Sequence, residues 1–190
     1  MIPVSIFEYI ILALALGIPT LITLRDCATK NPIRLTRGLG VSLLLAAEHT
    51  LILLLGILLG NMLRFDIPDY DSLVFLGLIV VVAIRMFFPA FRKKDRERVS
   101  YDIAQWGTVA LLGIATGVNL LFVGLSLGFR ETMEHALWRA SIPSFLIVFL
   151  LGYLAIMMGR QKKELRERRW QLIAVLFLLV FAIKGAVDNF

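Results

Sequence analysis

The chain has a single cysteine, Cys27, and two histidines, His49 and His135, among its 190 residues. One thiol excludes an internal disulfide and a cysteine metal cluster. Two histidines, one of them in a loop, do not build a paired-histidine haem stack within one subunit. A glycine-lysine P-loop is missing, so nothing in this stretch points to nucleotide hydrolysis. GxSxG and HExxH are missing as well, which removes the sequence basis for a membrane protease or lipase. No nucleophile–base pair can be named, so neither an enzyme nor a resident cofactor is expected. Long polar tails and low-complexity runs are also lacking, and nothing suggests a separate soluble domain.

What the chain has in excess is hydrocarbon. Hydrophobic residues make up 59% and the mean hydropathy is +0.84, too apolar for an ordinary soluble domain. The formal charge of +6 sits in short loops between apolar runs. That pattern marks membrane orientation and contact with anionic headgroups, and a nucleic-acid partner is not expected. The runs read as six helices, at about Ser5–Leu24, Gly40–Gly60, Ser72–Phe91, Ala104–Leu127, Ser141–Gly159 and Trp170–Val187. The first has no basic segment before it and no small-residue cleavage site, so it is expected to be retained. Gly17-Ile18-Pro19 interrupts that helix, where proline frees a carbonyl and kinks the chain.

Counting Lys and Arg orients the spans. The first, third and fifth loops hold four, five and six basic residues, and the second and fourth hold one and two. The excess marks the cytoplasmic side and leaves both termini outside. The expected fold is all-α: a polytopic membrane protein with six transmembrane helices in two three-helix halves. These are residues 1–91 and 104–190, joined by a basic linker at 92–103. An odd number of spans per half makes the halves inverted repeats, a common transporter plan.

The polar residues inside the runs are the candidate site. Glu48 stands at the centre of GVSLLLAAEHTLILLLGILLG. A carboxylate there costs at least ~2.5 kcal/mol on insertion scales, so it is expected to face other helices or water. Its candidate roles are cation ligand, proton carrier or partner of Arg85, which lies within roughly 5 Å of its depth. His49 is the neighbouring metal or proton ligand, pointing about 100° away around the helix. Asn119 offers a carbonyl oxygen to a cation or an amide as interhelical glue. Gly17 and Pro19 could expose a carbonyl to a cavity. Lys184 and Asp188 form an i, i+4 pair near the outer interface.

Several stretches carry a resemblance. Ile84-Arg85-Met86-Phe87-Phe88-Pro89-Ala90-Phe91-Arg92 ends the third helix, and Glu48-His49 precedes Gly56 in the second. Ala115-Thr116-Gly117-Val118-Asn119 runs on to Val123-Gly124, followed later by Met158-Gly159-Arg160 and Ile183-Lys184. In this order they resemble the bacterial manganese-efflux pump family, a branch of the LysE-like exporter superfamily. The resemblance implies six helices in two halves and secondary ion transport by alternating access, driven by protons or the membrane potential. It also implies aspartates in the first and fourth helices, where this chain has Gly17-Ile18-Pro19 and Asn119. A hard divalent ion prefers charged oxygens. The substrate class is therefore open among a divalent cation, a softer metal bound with His49, and another small solute. A tentative metal set is Glu48, His49 and Asn119, with Arg85 balancing charge. A homodimer is possible for so small a transporter, and the alternative function is a non-transporting scaffold or sensor.

Overall fold

The computed structural model describes residues 6–64, 71–91, 101–130, 133–161 and 167–187. The basic stretches 92–100 and 162–166 and Asp188 lie outside them. The described residues form six helices: α1 (Ile6–Lys30), α2 (Leu35–Arg64), α3 (Asp71–Phe91), α4 (Trp106–Arg130), α5 (Met133–Arg160) and α6 (Glu167–Val187). Four of them, α1, α2, α4 and α5, are long and apolar enough to cross a membrane, and α3 holds a shorter apolar helix at Leu73–Phe88. The outer surface is hydrocarbon: Leu51, Leu55, Phe88, Leu111, Leu150, Leu176 and Ile183 are all exposed. A surface of that kind suits lipid.

The helices outrun the apolar runs. α1 continues through Pro19 to Lys30, and α2 begins at Leu35, so the basic segment from Arg25 to Arg37 is mostly helical. α5 begins at Met133, two turns ahead of the expected start at Ser141. Hydropathy measures the thickness of oil, whereas backbone hydrogen bonding continues past it until something breaks it. After α1 the breaker is Pro32, which disfavours helix at Asn31. The Asn31 amide closes the last turn on the Cys27 carbonyl at 2.9 Å. Before α4, Asp102 Oδ1 accepts from the Ala104 amide at 3.0 Å and so shapes the entry turn. Arg37 of α2 donates to the Ala104 carbonyl and lies 5.7 Å from the Trp106 ring centroid, a cation–π contact that docks this turn on α2.

α2 packs on α4 and α5, α1 on α5 and α6, and α3 on α6 and α4. Every large contact therefore joins a helix before residue 92 to one after residue 103, and one hydrophobic core serves both segments. Ion pairs tie α1 to α6 near both ends: Arg25 to Glu167 at 3.8 Å, and Glu8 to Lys184. Lys184 therefore reaches across to α1, a contact that i, i+4 spacing within α6 could not reveal. Glu8 is only 6% exposed, so removing the half-exposed Lys184 cation takes the ion pair from a buried carboxylate. Lys184→Met is expected to lower stability by ~1–3 kcal/mol, and Glu8→Gln with Lys184→Met to recover part of it. Thermal unfolding in detergent measures both.

Candidate functional site

The site is built where α2 crosses α4. Gly56 and Gly60 of α2 lie against Gly124 and Gly128 of α4. A Cβ on Gly56 would stand 2.9 Å from the Leu125 amide, and one on Gly128 2.8 Å from the Asn61 amide. Within a bilayer such small-residue contact is what holds helices together. The two helices run parallel, since the contacts advance together from Glu48 and Gly113 through Ile52 and Gly117 to Gly60 and Gly128.

Glu48 projects its carboxylate onto the bare backbone of Gly113, in space that any side chain at 113 would fill. Its Oε2 is buried and has no hydrogen-bond partner. His49 is fully buried at 0% exposure. Its Nε2 lies 2.9 Å from Thr116 Oγ1, and its Nδ1 is buried without a partner. Thr116 Oγ1 in turn lies 2.8 Å from the Leu112 carbonyl and 3.2 Å from that of Gly113. Adjacent helical positions diverge by about 100°, which is why Glu48 and His49 were expected to face different neighbours. Both reach α4, because the glycine contact brings α4 into the groove between them.

Asn119 follows one turn beyond Thr116, and its Oδ1 is also buried without a partner. Gly113, Thr116 and Asn119 thus recur at three-residue steps along about 9 Å of one helix. A fourth such atom is Thr20 Oγ1 of α1. Glu48, His49, Asn119 and Thr20 all fall within two residues of the midpoints of their helices. A lone polar atom buried without a partner carries a real energetic penalty. Glu48, His49 and Asn119 thus string open acceptors along about 9 Å of the α2–α4 crossing, inside an apolar bundle.

The remaining candidates stand elsewhere. Arg85 does not balance Glu48. It is exposed on α3, whose neighbours are α4 and α6, and no ion pair joins it to Glu48. Matching depth gave reach but not adjacency. Gly17 packs beneath Leu151 of α5, whose Cδ1 would lie 2.6 Å from a Cβ there. The Pro19 carbonyl accepts from Thr23 Oγ1 at 2.9 Å, so it is not an open ligand. Among the described residues, no three His, Cys, Asp or Glu side chains come together as a metal cluster. Gly113 and Thr116 are the site residues that sequence reasoning passed over. Their signals were Gly113-xxx-Gly117, a small-residue face, and a hydroxyl one turn before Asn119.

The family described as "Putative manganese efflux pump" matches residues 32–185. Proteins of that description resemble the chain individually. The one from Citrifermentans bemidjiense is 27% identical over 134 residues, covering 70% of each chain. The one from Clostridium botulinum is 20% identical over 177 residues, covering 88% of this chain and 87% of its own. The one from Nitrosomonas eutropha is 25% identical over 136 residues, with 72% and 73% covered. No solved structure matches.

Proposed function

The chain belongs to the manganese efflux pump family, and on that premise we propose that it exports a small cation through the polar centre between α2 and α4. Glu48 supplies the negative charge, while His49 and Asn119 supply neutral ligands from the facing helices. The observation that carries this reading is the set of four buried, unpartnered polar atoms at mid-length of α1, α2 and α4. A permanent structural network would satisfy its own members. Groups left open at mid-depth suit a passenger that comes and goes.

Export works by alternating access between two inverted halves. Exchanging α1 with α4, α2 with α5 and α3 with α6 carries the major packed pairs onto themselves, which supports this plan. Individual contacts repeat under the same exchange. Leu151 covers Gly17 as Ile52 covers Gly117, and the Arg25 carbonyl abuts Gly159 as the Leu125 carbonyl abuts Gly60. Glu48, His49 and Thr116 have no polar counterparts at the other crossing, where Ile147, Val148 and Leu16 stand. The charge bias of the loops puts both termini outside.

In cells loaded with divalent metal, the chain is expected to lower metal content. Glu48→Gln at equal membrane abundance is expected to reduce export more than the about 10–100-fold that loss of a ligand-supporting group costs. Export by Glu48→Gln at the wild-type rate would overturn the reading. No change in metal content when the wild-type chain is produced would favour the scaffold role instead, for which the sparse set of charged ligands among the described residues speaks.

A further inference from the structure

We infer that His49 Nδ1 is a ligand for the transported ion, and that the chain selects a borderline divalent metal such as Zn²⁺ or Co²⁺ over a hard one such as Mn²⁺. The inference rests on the export reading above and goes on to specify the class of ion.

The hydrogen bonds assign the histidine's tautomer. A threonine hydroxyl has one proton to give. We place that of Thr116 on the Leu112 carbonyl, 2.8 Å away, and not on His49 Nε2, because the opposite tautomer would leave an Nδ1–H buried without an acceptor. At the 2.9 Å contact with His49, Thr116 Oγ1 therefore accepts, and Nε2 carries the ring proton. Neutral imidazole then presents a lone pair at Nδ1, and this atom is buried with nothing bound to it. Metal-binding histidines are prepared in this way: the far ring N–H is held by a second group, which sets the tautomer and the ring orientation.

The other open atoms agree in kind. Glu48 Oε2 and the Asn119 amide oxygen are acceptors, and the Thr20 hydroxyl oxygen has lone pairs to offer. A set of acceptors calls for a cation. A hard ion such as Mn²⁺ or Mg²⁺ is best held by several carboxylates, and the described residues gather no such cluster. One carboxylate with an imidazole nitrogen suits ions later in the first-row series, which bind nitrogen more strongly.

The test uses purified protein in proteoliposomes with Zn²⁺, Co²⁺ and Mn²⁺ as separate probes. Wild-type protein is expected to move Zn²⁺ and Co²⁺ faster than Mn²⁺. His49→Gln and Thr116→Val are each expected to cut Co²⁺ transport at least about tenfold while changing Mn²⁺ transport much less. X-ray absorption of the Co²⁺ complex of His135→Gln protein, where His49 is the one remaining imidazole of the sequence, is expected to show imidazole scattering, which decides the matter even if the His49 and Thr116 variants fail to fold. Wild-type preference for Mn²⁺, equal loss of all three ions in His49→Gln, or a Co²⁺ spectrum without imidazole would overturn the inference. Each of these is distinct from failure of the export reading, in which Glu48→Gln transports normally.

Discussion

Gly124→Leu is expected to yield no folded protein, and Gly124→Ala to be strongly destabilising, as at the other three glycines of the crossing. A Cβ at Gly124 meets the Leu53 carbonyl, with Gly56 Cα and the Ile57 amide both 3.1 Å away. All three are backbone. A crowded side chain swings aside, but these atoms yield only if α2 moves bodily from α4. Extra methylenes in a packed core cost about 1–3 kcal/mol, and Gly124→Ala belongs at the top of that range. Leucine adds three more carbons in the same direction. Gly77 is the control, since a Cβ there meets nothing within 4 Å. Gly77→Ala is expected to gain up to ~1 kcal/mol from helix propensity alone. Thermal unfolding in detergent separates the two, and equal midpoints for Gly124→Ala and Gly77→Ala would refute the crossing described here.

Gly113→Ala is expected to behave in the opposite way, with function lost and the fold kept. The new methyl would occupy the space of the Glu48 carboxylate, with Leu45 Cδ2 3.2 Å away. Both obstacles are ends of flexible side chains. They can turn at a cost of about 1 kcal/mol for strained rotamers, so the unfolding midpoint should move little. The carboxylate cannot stay where it is, and export should fall about as far as in Glu48→Gln. Retained transport in a well-folded Gly113→Ala protein would show that the position of the Glu48 carboxylate does not matter.

The contrast between these two glycines shows where sequence reading reaches its limit. The six apolar runs were legible as helices, four of them long and apolar enough to cross a bilayer, and Glu48 was legible because a carboxylate in oil demands a reason. Asn119 stood out on the same ground. The ends of α1, α2 and α5 were not legible, since Arg25–Lys30 and Met133–Arg139 carry charges yet are still helical. Gly113 and Thr116 matter only through what α2 lays upon them, and no spacing within α4 states that. Arg85 failed for the same reason. Depth follows from counting along one helix, whereas adjacency depends on how helices pair.

That pairing also bears on how the protein is made. Each helix finds its main neighbours in the other half of the chain. When the ribosome has delivered α1, α2 and α3 to the membrane, none of them has the surface it was shaped to meet. Glu48 and His49 must then wait among lipid tails, or in the shelter of the insertion machinery, until α4 emerges. The interval between those two events is when the newborn chain is most exposed to membrane proteases.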